Sequence, residues 1–167
     1  MRYAAALLPL LTFAACAREE AAAPAAKALS CAASEGGAVT AGGAWVREQA
    51  DASAMSAAYF TLCNGTMAPV TLTGLSTELA GMVELHETSR DANGVVSMAP
   101  TGEITLAPGE LLVFEPGGKH AMLMGLSAGI KAGDRAALNL QFADGSTVTA
   151  EAVARSAAEA AGGKDGH

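Results

Sequence analysis

The sequence predicts an all-β protein, a sandwich of short strands forming a single domain behind an exported leader. Three observations predict it. Short apolar-rich runs recur along the chain, separated by turn residues such as Asn64-Gly65, Asn93-Gly94, Pro108-Gly109, Pro116-Gly117-Gly118 and Asp144-Gly145. Within several runs apolar and polar residues alternate, the period of two that a half-buried strand shows. No stretch carries long helical apolar spacing, and no internal repeat argues for a propeller or solenoid. A small β-barrel is the alternative arrangement of the same strands.

In chain order, the leader comes first. Met1-Arg2 supplies a short positive start, and residues 4–11 form an apolar run too short to span a bilayer. Residues 1–16 therefore read as an export signal. Thr12-Phe13-Ala14-Ala15-Cys16 resembles a bacterial lipoprotein box, with Phe13 where leucine is usual and Cys16 as the lipid-bearing residue. The alternative is ordinary cleavage after Ala15 or Ala17. Both readings put the mature protein in the periplasm or cell envelope, and the first tethers it to the membrane through Cys16. Residues 17–43 are rich in Ala, Gly and Glu without sustained alternation, and read as a flexible tether.

The domain occupies residues 44–154. Strands are expected over 44–47, 57–62, 70–75, 82–86, 95–98, 103–106, 111–115, 120–126, 136–142 and 147–153, each bounded by turn or breaker residues. Val46, Tyr59, Leu62, Leu72, Leu75, Val83, Leu85, Leu112, Phe114, Leu138, Leu140 and Phe142 are the expected core, and their burial supplies the main stabilisation. Residues 155–167 are Ala/Gly-rich with mixed charge and read as a frayed tail.

Of the 167 residues, Asp and Glu outnumber Lys and Arg to give a net charge of −7, with no basic cluster. That argues against nucleic acid and against anionic membrane surfaces as partners. With Cys16 lipidated or removed, Cys31 and Cys63 remain, and an even pair in an exported protein suggests a disulfide. It would close a loop of about thirty residues, contributing roughly 3–4 kcal/mol through loss of unfolded-state entropy. Two free thiols recruited to a metal are the alternative, set lower because Cys63 lies well before the His/Met cluster.

That cluster carries the functional signal. The chain has three histidines, and two of them, His86 and His120, fall in a set with Met98 and Met122. Imidazole nitrogen with thioether sulfur suits a soft monovalent ion, Cu(I) above all. His120 and Met122 are two apart on an expected strand and so share a face. Met124 continues that face as a spare candidate ligand, but reads better as core filler, because Leu126 follows with the same parity. His86 and Met98 flank the turn at Asn93-Gly94. A two-residue Asn-Gly hairpin would set Met98 opposite Ser89, with His86 on the other face. A three-residue loop, Ala92-Asn93-Gly94, sets Met98 opposite Thr88 and diagonal to His86 on one face. That loop class needs a left-handed residue at its last position, where Gly94 stands, so it is the expected one. His167 could serve as an accessory metal ligand, but a lone terminal histidine is more often nothing.

The spacing resembles the signature of the PCuAC family of periplasmic copper chaperones. That signature is His, usually Met, ten residues, Met, twenty-one residues, then His-x-Met. Here His86-Glu87 is followed by ten residues, Met98, twenty-one residues and His120-Ala121-Met122, so only Glu87 departs. Ala44-Trp45-Val46-Arg47, Ala58-Tyr59-Phe60, Val83-Glu84-Leu85-His86, Pro116-Gly117-Gly118 and Met122-Leu123-Met124-Gly125-Leu126 are similar to further landmarks of the family. The resemblance covers roughly residues 44–154. It implies a cupredoxin-like Greek-key β-sandwich and Cu(I) held by His86, Met98, His120 and Met122. It also implies delivery to a copper-accepting protein, such as a cytochrome oxidase subunit at its Cu-A site or an assembly factor, or buffering of envelope copper.

Other classes fit less well. A blue-copper electron carrier needs a cysteine among its ligands, and none follows Cys63. A copper oxidase or dismutase needs a more nitrogen-rich site. A hydrolase needs a nucleophile–base pair, and no triad pattern or nucleophile elbow appears. The protein is thus expected to be a carrier and not an enzyme. The runner-up is a lipid-tethered interaction module whose methionines fall in this spacing by chance.

Overall fold

A computed structural model describes residues 31–156, 158 and 159. The expected export signal, Cys16, most of the tether, the end of the tail and His167 lie outside them. Ten strands make up the fold: β1 (Val39–Arg47), β2 (Ser56–Asn64), β3 (Val70–Ser76), β4 (Ala80–Arg90), β5 (Val96–Pro100), β6 (Ile104–Leu106), β7 (Leu111–Phe114), β8 (Lys119–Leu126), β9 (Arg135–Phe142) and β10 (Thr147–Arg155). Each overlaps one expected strand.

The strands form one hydrogen-bonded series in the order β5-β4-β8-β7-β2-β1-β10-β9-β3-β6, and β8 also pairs directly with β2. β1 and β10 run parallel, with Trp45 beside Val153. Near its two ends the series meets itself, since β3 and β4 pack together without pairing. The result is the cupredoxin-like β-sandwich, with its core between the two facing halves.

Alternation builds that core. On β2, Ala58, Phe60 and Leu62 point inward; on β9, Leu138, Leu140 and Phe142 do the same. Leu62, Leu72, Leu106, Leu123, Leu138 and Leu140 have no exposed surface, and each contributes about 1.5–3 kcal/mol relative to an exposed side chain. Phe60 and Phe114 stack across β2 and β7 with ring centroids 4.2 Å apart.

Four expectations need correction. The first strand begins at Val39, inside the stretch read as tether, because Val39 to Ala41 pair with Asn64 to Leu62 on β2. Alternation is broken at Gly42 and Gly43, which hid this half of the strand from its pattern; a register shift lies there. Tyr59 is buried but belongs to the outer face of β2, between the inward Ala58 and Phe60. Met124 is half-buried on the outer face of β8 and is not core filler. Gly125 has φ +62°, a left-handed residue that interrupts the strand's alternation, so Leu126 turns inward where Met124 does not. Val83 and Leu112 are only partly buried, packed against the core's edge.

Cys31 and Cys63 form a disulfide, with Cα atoms 5.5 Å apart. It fastens the segment before β1 to the far end of β2.

Candidate metal centre

The centre of the candidate site is a cross-strand pair. β4 and β8 are antiparallel, with Glu84 opposite Met122, Leu85 opposite Ala121 and His86 opposite His120. Leu85 and Ala121 are inside the core, so the alternate residues His86, His120, Glu84 and Met122 share the outer face. The imidazole centroids are 6.0 Å apart and tilted by 47°. With metal–nitrogen bonds of roughly 2 Å, that separation is compatible with one ion shared by a nitrogen of each ring.

The histidines are held differently. His120 is buried, and its Nδ1 lies 3.1 Å from the Gly118 carbonyl. A carbonyl only accepts, so Nδ1 carries a proton, and in the neutral ring the lone pair is on Nε2. His86 Nε2 lies 3.0 Å from Glu84 Oε2. Its Nδ1 is enclosed and has no hydrogen-bond partner, the one such buried side-chain atom among the described residues.

Met98 reaches this face through the β4–β5 hairpin. Asp91 N–H donates to the Val95 carbonyl, and Arg90 pairs with Val96, so the loop is the three-residue Ala92-Asn93-Gly94. Asp91 Oδ1 accepts from the N–H groups of Asn93 and Val95, and Gly94 has φ +83°. The register follows: Met98 opposes Thr88, and His86 opposes Pro100. Met98 is half exposed on the edge strand. Together with His120 and Met122 it lines an open pocket of about 370 Å³, whose rim includes Met55, Thr88 and Tyr59. Met122 sits between Glu84 on β4 and Ala57 on β2. Met124 lies two residues further along β8, opposite the exposed Met82.

Five neighbours carried no role at the site in the sequence reading. Tyr59 stacks on Trp45 at 4.3 Å and stands 6.5 Å from the His120 ring, forming an aromatic wall. Burial pushes the Tyr59 phenol up from its usual range, and the Arg47 charge partly offsets that. Arg155 lies 5.4 Å over Trp45 in a cation–π contact. Met55 and Glu84 complete the surroundings. Glu84 was discoverable, being two residues before His86 on the same strand face. Glu87 lies on the other side of β4, in an ion pair with Lys119 Nζ at 2.6 Å.

Among the described residues no three His, Cys, Asp or Glu side chains converge. This face carries two imidazoles, and the pocket beside it is lined by the thioethers of Met55, Met98 and Met122; side chains of that softness fit Cu(I).

The family model described as "Putative lipoprotein LpqE-like" matches residues 39–154. A curated relative, "Putative lipoprotein Lxx21020" of Leifsonia xyli subsp. xyli, is 34% identical over 104 residues, which is 62% of this chain and 61% of the relative. The chain thus spans about three-fifths of that relative's length. Among solved structures, a copper-bound PCuAC domain from PmoF2 superposes with a TM-score of 0.58 at 22% identity, covering 72% of this chain and 94% of that one. DR1885 of Deinococcus radiodurans superposes at 29% identity in two solution structures. Its Cu(I) form gives a TM-score of 0.52 over 68% of this chain and 76% of that one. Its apo form gives 0.53 over 91% and 96%.

Proposed function

This chain belongs to the LpqE-like family, and on that premise we propose that it is a copper(I)-binding chaperone of the cell envelope. His86, His120, Met98 and Met122 hold the ion. The observation that carries this reading is the opposition of His86 and His120 on adjacent strands, with Met122 on the same face and Met98 lining one pocket with His120 and Met122. The Cu(I) form of DR1885, a 29%-identical neighbour, supports the choice of ion.

The donor set suits carriage rather than catalysis. Thioethers have no proton to lose and resist the oxidising envelope better than thiolates. Only the imidazoles exchange a proton for the metal, so binding weakens as pH falls. Met98, half exposed on an edge strand, is the donor a partner can replace first. Copper then passes by stepwise ligand exchange to a copper-accepting protein, such as a cytochrome oxidase subunit or its assembly factor. Names in the family and of its relative point to a lipoprotein, in keeping with a lipid on Cys16 as the membrane tether.

The test is competition for Cu(I) against a chromophoric chelator, with His120→Ala and Met122→Ala beside the wild type. Wild type should hold Cu(I) against the chelator, and each substitution should weaken it by at least about tenfold, the loss of one donor being worth more than ~1.4 kcal/mol. Wild-type binding no tighter than that of either variant would remove the copper reading.

A further inference from the structure

The His86 ring poses a question that the donor set leaves open: which nitrogen meets the metal. Its Nε2 is 3.0 Å from a Glu84 oxygen, in a side chain only 12% exposed, while Nδ1 is buried and unpartnered. An ionised carboxylate can only accept a hydrogen bond. The proton at that contact therefore belongs to Nε2, since the other tautomer would set a nitrogen lone pair against carboxylate lone pairs. In neutral His86 this leaves the lone pair on Nδ1, the atom with no protein partner. Across the ladder His120 is held in the opposite sense, its Nδ1–H given to the Gly118 carbonyl and its Nε2 free of proton. The rings are thus fixed by two different acceptors, one a backbone carbonyl and one a side chain that a single substitution can remove.

We propose that Glu84 is a positioning residue for the copper site: by accepting Nε2–H of His86 it fixes the tautomer in which Nδ1 is the nitrogen offered to Cu(I), while His120 offers Nε2. This rests on the copper-binding reading above. Glu84 is not a ligand here. It acts through His86, as a carboxylate behind a metal-bound imidazole does, setting ring orientation and raising the basicity of the ligating nitrogen. Its place on β4 suits the role, because it lies two residues from His86 on one strand face, opposite Met122. Being about half exposed, at 46%, it can be replaced without opening the core.

Two-bond ¹H–¹⁵N correlation spectra of the full chain, recorded at mildly alkaline pH, read the tautomer directly and without copper. The expected result is Nε2–H for His86 and Nδ1–H for His120 in the apo protein. On adding Cu(I), the His86 Nδ1 resonance should move most. Glu84→Ala should mix the His86 tautomers and weaken Cu(I) binding by about 10- to 100-fold. Glu84→Gln, whose amide oxygen can still accept the bond, should recover most of that loss. Apo His86 carrying its proton on Nδ1, copper perturbing Nε2 instead, or Glu84→Ala binding as tightly as wild type would each overturn the proposal and leave copper binding intact. A wild type that shows the expected tautomers yet takes no Cu(I) would remove the copper reading and this inference with it.

Discussion

Asn64 shows how much one buried amide can organise. It has no exposed surface and ends β2. Its Nδ2 donates toward the carbonyls of Ala68, Leu106 and Ala107 at 2.8 to 3.1 Å. Its Oδ1 accepts from both the backbone N–H and the hydroxyl of Thr66. One side chain therefore closes the turn after β2 and ties it to the end of β6. Asn64→Ala would strand several of these groups away from water, at about 1–3 kcal/mol for each left unsatisfied. Urea unfolding should show a loss of about 2–4 kcal/mol, with the denaturant slope unchanged. A loss below about 0.5 kcal/mol, the size of an ordinary surface substitution, would mean that water replaces the amide. The histidines tell a parallel story at the same scale. What distinguishes His86 from His120 is the neighbour each ring nitrogen meets, a carboxylate two residues back on the same strand face for one and the Gly118 carbonyl for the other.

The β4–β5 hairpin is the element on which the candidate site depends, and it was legible. Asp91, Asn93 and Gly94 encode a three-residue loop, and that loop alone fixes Met98 opposite Thr88 rather than Ser89. Gly94 has φ +83°, and a Cβ there would meet nothing closer than the tip of Arg90 at 3.9 Å. The demand for glycine is thus conformational, not spatial. Gly94→Val should cost about 1–3 kcal/mol as left-handed strain, while Gly94→Asn, which tolerates that conformation, should cost clearly less. Equal losses on urea unfolding would show that the loop had moved to another turn instead. Period two likewise made the His120/Met122 face legible, and the turn residues located all ten strands. Failures came where one residue breaks a period. Gly125 reverses the alternation of β8, so Met124 stays outside while Leu126 packs inward. Gly42 and Gly43 hid the first half of β1. Tyr59 is expected inward together with Leu62, although a period of two puts the two on opposite faces and Phe60 shares the face of Leu62. The aromatic wall of Trp45 and Tyr59, and Met55 from the β1–β2 connection, depend on which strands become neighbours. Sequence spacing carries no information on that.

At the scale of the whole molecule, the ladder separates attachment from site. Ala57 on β2 faces Met122, whereas Cys63 on the same strand holds the disulfide to Cys31. Six residues at about 3.3 Å each put roughly 20 Å between them. The disulfide therefore fastens the N-terminal segment at Cys31 to the end of β2 away from the His/Met pocket. The disulfide spans 32 residues of sequence, and by loop-closure entropy its removal should release about 3–4 kcal/mol of stabilisation. It should do so without touching the site, since groups more than about 10 Å apart with no shared partners contribute independently. Replacing both cysteines, Cys31→Ser with Cys63→Ser, separates these effects and leaves no thiol to compete for copper. Urea unfolding of the double variant should fall by about 3–4 kcal/mol, while its Cu(I) affinity in chelator competition should stay within about twofold of wild type. A much larger drop in affinity would mean that the bridge shapes the pocket through β2. The two ends of that strand would then act as one unit.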